Sequence, residues 1–154
     1  MRMTESTKSR GRQPWLNRAM HRLLRSPFSR LVDGTIMALT IHGRRTGRPY
    51  TFPVQYVQRG DVLWVYVGSS DEKTWWRNLE RESQVRVLLR GRMRHGRAIA
   101  YTHDRDPSVV EEGLRQWVDR FPGIAKRLGI PPGDDEPFAA AALRTTIVQV
   151  RLER

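Results

Sequence analysis

The chain has 154 residues, a length that suits one domain with a modest hydrophobic core. It carries 28 Lys and Arg residues against 16 Asp and Glu residues, a formal net charge of +12, and no cysteine, which excludes disulfide bonds, thiolate metal sites and cysteine nucleophiles. The longest apolar runs, Val62–Val67 and residues 138–143, are far shorter than the roughly 20 residues of a membrane-spanning helix. Because no signal peptide is evident either, we expect a soluble, cytoplasmic protein.

The positive charge is concentrated towards the N-terminal end. Residues 1–48 contain eleven basic and two acidic residues, whereas residues 49–154 contain 17 basic and 14 acidic residues. A basic front end indicates an anionic partner, which would be nucleic acid, anionic lipid or a phosphate-bearing ligand. Because 25 of the 28 basic residues are Arg, a GC-rich genome explains the total charge equally well, but it does not explain the uneven distribution.

The N-terminal region divides into an arm and a helix. Residues 1–13 lack apolar periodicity, and we expect them to form a disordered basic arm. Over residues 14–31, apolar positions recur at spacings of three and four, which predicts an amphipathic helix with arginines on its other face. Packing on the domain's own core is one interpretation of this helix. Since Trp15 and the arginines share it, peripheral contact with an anionic membrane surface is the alternative. Residues 14–154 are expected to form a single domain.

The apolar pattern changes to the period of strands after Gly34. It predicts strands at 36–41, 51–57 and 62–67, a helix at 73–81, strands at 85–89 and 94–101, a long helix at 108–127, an exposed loop at 131–136 and a final strand at 145–152. Six or so strands with two or three helices favour a mainly β fold, in the form of a small barrel or roll.

A loop rich in glycine and arginine joins the first two predicted strands. Gly43 and Gly47 permit a tight turn and the close approach of a ligand to backbone N–H groups. The polar side chains around them are Arg44, Arg45, Thr46 and Arg48. Arginine offers forked donors that suit phosphate or carboxylate oxygens, although a solvated hairpin tip would tolerate the same residues. The loop matches neither the Walker nor the GxGxxG phosphate-binding pattern.

A second loop, which begins with Gly68 and Ser69, leads from the third predicted strand into the helix at 73–81. Free N–H groups at the start of that helix offer another place for an anion or for the polar edge of a ring. Trp75 and Trp76 would lie about 100° apart on a helix, so that one faces the core while the other borders a groove. Two core tryptophans are one interpretation, and a flat heterocycle stacked on one of them is the other.

Together, the two loops resemble the deazaflavin-dependent nitroreductase family, the split-barrel reductases that use the 8-hydroxy-5-deazaflavin coenzyme F-420. The matching segments are LTIHGRRTGRPYTFPVQYV, GDVLWVYVGSS and TWWRNLERESQVRV, which follow one another in the family's order and spacing over about residues 38–89. The resemblance implies a split β-barrel of the FMN-binding, pyridoxamine-phosphate-oxidase-like type. That fold would carry an N-terminal helix and a long helix before the last strand.

The resemblance also implies which residues bind the coenzyme. The family's phosphate-binding loop is matched by Arg44, Arg45, Thr46 and Gly47. The family's residues around the deazaflavin ring are matched by Pro53, Val54, Gly68, Ser69 and Trp75. Arg48 is expected to supply the polar coenzyme contacts that Tyr50 and Phe52 do not make. Asn78 and Leu79 match the helix signature of the family and are expected to be structural.

The activity that the resemblance implies is an oxidoreductase in which the reduced coenzyme passes a hydride from its C5 to a small electrophilic acceptor, such as a quinone, an enone or a nitro compound. The tyrosines that the nitroreductases place over their substrate are absent from residues 121–127, so the substrate is less well defined than the fold. Solvent, a tyrosine or Ser69 would donate the proton, and Ser69 is the one named catalytic candidate. The four histidines lack metal-ligand spacing, and no metal site is expected.

Two alternatives within the same fold remain open at this point. One is an FMN-binding split-barrel oxidoreductase, which would use the basic loop for the FMN phosphate. The other is a non-catalytic member of the fold that binds a fatty acid or a tetrapyrrole. No nucleic-acid partner is expected, because Trp15 is the only aromatic residue of the basic N-terminal region before Phe28 and no reading element is recognisable. Both a monomer and a homodimer are compatible with the sequence.

Overall fold

A computed structural model describes residues 34–131 and 136–154, so the arm expected at 1–13 and the helix expected at 14–31 lie outside the described residues. In the described part, seven strands form one antiparallel sheet. The strands are β1 (Ile36–His42), β2 (Pro49–Gln55), β3 (Val57–Arg59), β4 (Val62–Val67), β5 (Ser83–Leu89), β6 (Arg92–Thr102) and β7 (Thr146–Leu152). Their order across the sheet is β2–β1–β5–β6–β7–β4–β3.

The two edge strands of this sheet, β2 and β3, follow each other directly in the chain. Only Tyr56 separates them, and its backbone N–H donates to the carbonyl of Thr35 at 2.9 Å. The single strand expected at 51–57 is therefore broken at this corner. Because consecutive strands lie at opposite ends of the strand order, the sheet must curl until its edges meet. Among the described strands β2 pairs only with β1 and β3 only with β4, which leaves a split between β2 and β4 and confirms the split β-barrel.

Side chains of β4 are buried on both faces of the sheet. Leu63, Val65 and Val67 point into the barrel and belong to its main hydrophobic core. Trp64 and Tyr66 point outwards and pack beneath a helix. Alternate side chains of a strand project to opposite faces, so a strand covered on both sides is a continuous apolar run. This explains the uninterrupted apolar segment that the sequence shows here.

Three α-helices cover the outer face: α1 (Pro107–Arg120), α2 (Gly123–Arg127) and α3 (Glu136–Ala142). The long helix expected before the last strand is present as α1, but the expectation that it continues to residue 127 was wrong, because it ends at Arg120. Phe121 precedes Pro122, and a residue before proline is disfavoured in the helical conformation; Phe121 accordingly has φ −130° and ψ 77°. The prediction of an exposed loop at 131–136 was wrong at its last residue. Glu136 begins α3, and the four alanines of that segment favour a helix.

The α-helix expected at 73–81 is a 3-10 helix of five residues, Trp75–Leu79. The side-chain amide of Asn78 donates to the carbonyl of Trp75 at 2.9 Å. This hydrogen bond competes with the backbone pattern of an α-helix, in which the N–H of Leu79 would approach the same carbonyl. None of the helices in the described residues is long and apolar enough to cross a membrane.

Candidate active site

A cavity of about 560 Å³ lies in the split between β2 and β4. Its size falls within the range of small-molecule sites, roughly 300–1,000 Å³. Strand β2 contributes Phe52, Pro53, Val54 and Gln55, and the end of β4 contributes Val65, Tyr66, Val67 and the following Gly68. The remaining lining residues are Lys73, Trp75, Trp117, Ile124 and Arg127. The cavity is therefore bordered by the barrel, the 3-10 helix and the helices α1 and α2.

Aromatic side chains form much of the cavity wall. The ring centroids of Phe52 and Trp75 lie 4.9 Å apart with an interplanar angle of 60°, and those of Tyr66 and Trp117 lie 5.8 Å apart. The indole N–H of Trp117 donates to the carbonyl of Trp64 at 3.0 Å, which fixes the orientation of that ring. Such rings present flat apolar surface with little conformational freedom, which suits a planar heterocyclic ligand.

The charged side chains that line the cavity among the described residues are cations. They are Lys73 and Arg127, and no described Asp or Glu joins them. Tyr66, which also lines the cavity, is half-buried. Burial raises the pKa of the Tyr66 phenol, and the positive charge of Arg127 lowers that pKa by a smaller amount. The phenol therefore remains protonated at neutral pH, with its hydroxyl available as a hydrogen-bond donor.

Four of the five residues expected around a ring come together in this cavity: Pro53, Val54, Gly68 and Trp75. Ser69, the expected catalytic candidate, is exposed and is not among the lining residues. Its backbone has φ 52°, and its carbonyl accepts hydrogen bonds from the N–H groups of Glu72 and Lys73 at 3.0 and 2.9 Å. These two N–H groups are therefore not free to bind an anion, contrary to the expectation for the start of a helix.

The arginine-rich loop is an exposed hairpin between β1 and β2 and contributes no residue to the cavity lining. The N–H of Gly43 donates to the carbonyl of Arg48 at 2.9 Å, and the N–H of Gly47 donates to the carbonyl of Gly43 at 2.7 Å. Gly47 has φ +66°, a conformation that favours glycine. The hydroxyl of Thr46 accepts the N–H of Arg48 at 3.3 Å. Thr46 thus helps to shape the turn.

Asn78 connects this hairpin to the cavity wall. Its side-chain oxygen accepts the backbone N–H of Arg44 at 2.9 Å, while its side-chain nitrogen donates to the carbonyl of Trp75 at 2.9 Å. The guanidinium of Arg44 also pairs with the carboxylate of Glu80 at 3.0 Å. Among the described residues, Arg45 and Arg48 have no acidic partner. Hence the anion-binding capacity of the hairpin resides mainly in these two side chains.

Sequence reasoning did not identify the roles of Phe52, Tyr66, Lys73 and Arg127. For Phe52 a signal existed, because it alternates with Val54 on the same strand. Tyr66 was also conspicuous as a hydroxyl-bearing residue within an apolar run. The two cations belong to no pattern, since a loop and a short helix bring them to the cavity from positions far apart in the chain.

The tryptophan pair is divided between two pockets. Trp75 lines the cavity in the split, whereas Trp76 lines a polar pocket of about 450 Å³ together with Asp71, Arg77 and His103. The indole N–H of Trp76 donates to the carbonyl of Ser70 at 2.9 Å. Within residues 34–131 and 136–154, no group of three or more His, Asp and Glu side chains is arranged to hold a metal ion.

The model of one protein family, described as F420H(2)-dependent quinone reductase, matches residues 16–127. The chain belongs to this family. Among solved structures, one described as a domain-swapped dimer has 15% sequence identity and a TM-score of 0.55, and the match covers 90% of this chain and 98% of that one. A second, an F420-H2 dependent reductase (FDR-A), has 15% identity and a TM-score of 0.53, over 77% and 94% of the two chains. These two matches show that this chain has the same fold as the two solved structures. No curated protein matches the chain.

Proposed function

We propose that the protein is a reductase that uses reduced coenzyme F-420 to reduce a small electrophilic acceptor, with quinones as the first candidates and enones and nitro compounds as the alternatives. The family membership supports the coenzyme and the class of acceptor. The observation that carries the proposal is the cavity in the split, whose aromatic wall is tied by Asn78 to an arginine-rich hairpin. A coenzyme with a flat ring and a phosphate-bearing tail requires both parts.

The described residues fit such a coenzyme. Phe52 and Trp75 line the cavity with their rings in contact with each other, and Gly68 has no side chain that would obstruct the end of β4. Arg45 and Arg48 are exposed on the hairpin with no carboxylate to neutralise them among the described residues. Their forked donors suit the phosphodiester and carboxylate oxygens of the tail. The hydride is the chemistry that the bound coenzyme supplies.

The protein's own contribution would be to orient the acceptor, to exclude water and to deliver a proton. Reduction of a quinone by a hydride consumes one proton, because the oxygen that gains negative charge ends as a hydroxyl. Tyr66 lines the cavity and is kept protonated by burial. We therefore propose Tyr66 as the proton donor in place of Ser69, with the resulting phenolate reprotonated from solvent.

A fluorescence titration with oxidised coenzyme F-420 tests the coenzyme assignment, with FMN titrated in parallel. We expect micromolar binding of the deazaflavin, weakened about tenfold or more when Arg45→Gln and Arg48→Gln are combined, since each removes a charge-assisted contact. Arg92→Gln is the matched control. This exposed arginine begins β6, at the end of the sheet opposite the hairpin between β1 and β2. Preferential binding of FMN, or no binding of either compound, would contradict the proposal.

A homodimer is part of the same proposal. Its support is that a chain of the same fold is described as a domain-swapped dimer. Light scattering on the full chain is expected to give twice the mass of the monomer, and a monomer mass at all concentrations would exclude the dimer.

A further inference from the structure

The cavity in the split has an apolar end and a charged end. Val65, Val67 and Trp117 are almost fully buried, with exposed fractions of 1%, 3% and 2%. By contrast, Lys73 and Arg127 are exposed, so both cations stand where the cavity meets solvent. A ligand with an apolar ring and one polar substituent would therefore enter with its ring inwards and its substituent at the mouth.

Among the residues that the structure describes, the two cations at the mouth have no acidic partner. Elsewhere in the described chain, exposed arginines such as Arg44 and Arg97 pair with carboxylates at 3.0 and 3.1 Å. Neither Lys73 nor Arg127 forms an ion pair with any described residue. Asp71 precedes Lys73 by only two residues, but it lines the other, polar pocket. Within the described part of the chain, two positive charges stand at one small opening with no acidic residue to pair with them, which gives this part of the cavity a positive potential.

The charge of Arg127 also reaches into the cavity. It acts on the phenol of Tyr66, whose ring lies against Trp117 on the inner wall. Arg127 is contributed by α2 and Tyr66 by β4, so the two side chains reach the same cavity from a helix and from a strand. A charge that influences this hydroxyl is close enough to influence a ligand that touches it.

We propose that the electron acceptor carries a carboxylate, which Arg127 and Lys73 bind at the mouth while its ring lies towards Tyr66 and Trp117, which leaves Phe52 and Trp75 to the coenzyme. This inference rests on the proposed function and narrows its acceptor to an anionic member of the quinone class. Guanidinium and ammonium groups both bind carboxylates, and the guanidinium does so in a bidentate manner. The hairpin arginines stay free for the coenzyme, so the two anionic groups occupy separate parts of the protein.

A matched pair of acceptors tests the inference: a naphthoquinone carboxylic acid and its methyl ester, assayed with saturating reduced coenzyme F-420. We expect the KM of the acid to be about tenfold lower than that of the ester, as one charge-assisted contact would give. Arg127→Gln and Lys73→Gln should each reduce the ratio of the two KM values, measured within each variant, and together bring that ratio to about one. Lys126→Gln is the control, because Lys126 lies on α2 beside Arg127 but does not line the cavity.

A second measurement needs no turnover. Naphthoate and its methyl ester are redox-inert, and their binding to the protein with oxidised coenzyme can be followed by quenching of tryptophan fluorescence, since Trp75 and Trp117 line the cavity. We expect naphthoate to bind more tightly than the ester, with a difference that declines as salt is added. Equal KM values and equal affinities would overturn the inference while leaving the proposed reductase intact. Preferential naphthoate binding without reduction of either quinone would support the anion site and contradict the reductase.

Discussion

The backbone N–H of Arg44 donates to the side-chain oxygen of Asn78 across 2.9 Å, and these residues are 34 positions apart in the chain. The nitrogen of the same side chain donates to the carbonyl of Trp75, also at 2.9 Å. One amide group therefore holds the exposed hairpin against the 3-10 helix that carries the aromatic wall. The position of the proposed phosphate-binding arginines relative to the proposed ring-binding tryptophan depends on this residue.

Replacing Asn78 should uncouple the two parts of the site. Asn78→Ala removes both hydrogen bonds and, at about 1 kcal/mol per bond, should lower the free energy of unfolding by about 2 kcal/mol. Coenzyme binding should weaken roughly fivefold, which corresponds to about 1 kcal/mol, because the hairpin is no longer held against the 3-10 helix. Asn78→Asp is the informative comparison, because it keeps an acceptor for Arg44 but loses the donor to Trp75. Isothermal titration with oxidised coenzyme and urea denaturation measure the two effects. Wild-type affinity in Asn78→Ala would show that the hairpin is positioned by other contacts.

Glu80 competes with an anionic ligand for the guanidinium of Arg44. Their atoms are 3.0 Å apart and both side chains are about half exposed, so the pair itself contributes little to stability. Glu80→Gln frees Arg44 and removes a negative charge beside the hairpin, and we expect coenzyme binding to tighten about twofold at low salt. Glu82→Gln makes the same charge change at a carboxylate that pairs with Arg97 instead. If both variants bind equally, the effect belongs to net charge and not to Arg44.

The fold was predictable where local pattern decides it. Alternation identified the strands, and the glycines on either side of Arg44 and Arg45 identified the hairpin between β1 and β2. Two of the wrong predictions concern helices, at positions where a single residue interrupts the periodic pattern. Pro122 ends the long helix early. The Asn78 side chain competes for a carbonyl of the expected α-helix, and the segment forms a 3-10 helix instead.

The site was predictable only in part, for a related reason. Pro53 and Val54 lie on one strand and Gly68 follows another, so a sequence motif identifies all three residues without knowledge of the fold. The Arg127 side chain reaches the same cavity only because the chain turns at Pro122 and starts a second short helix. Pro122 marks the break in the sequence, but the direction in which α2 leaves it depends on packing between α1 and α2, which no sequence spacing encodes.

The ionisation of Tyr66 offers a test in the alkaline range. Burial raises the pKa of this phenol above its ordinary value of about 10, so the fold favours the neutral form. Its contribution to stability is therefore complete below about pH 10 and is lost as the pH rises through the raised pKa of the folded state. Ultraviolet difference titration of the wild type and of Tyr66→Phe should show a late-titrating phenol that the variant lacks. Arg127→Gln should raise the pKa of Tyr66 further, because it removes the charge that stabilises the phenolate; a lower pKa in that variant would place Arg127 away from the hydroxyl.

Tyr66→Phe should also separate proton delivery from binding. The variant keeps the ring that packs against Trp117 but removes the hydroxyl, so we expect kcat to fall about a hundredfold while coenzyme affinity is retained. Ser69→Ala should reduce kcat much less, since Ser69 does not line the cavity. Single-turnover mixing of the reduced protein–coenzyme complex with a quinone measures the step directly. A full rate in Tyr66→Phe would return the proton-donor role to solvent.

Replacing two helical glycines, Gly113 and Gly123, with alanine should change the free energy of unfolding in opposite directions. A Cβ added at Gly113 would lie 2.8 Å from a side-chain carbon of Ile147 and 2.9 Å from one of Trp64, so α1 packs on β4 and β7 at a distance that only glycine permits. Helix propensity alone would make Gly113→Ala stabilising, but overpacking should dominate and lower the free energy of unfolding by about 1–3 kcal/mol. At Gly123 a Cβ meets nothing within 4 Å, and Gly123→Ala should raise the free energy of unfolding by about 0.5 kcal/mol. Urea denaturation with unchanged m-values distinguishes these outcomes. A stabilised Gly113→Ala variant would mean that α1 lies further from the sheet, and the position of Trp117 in the cavity wall would then have to change with it.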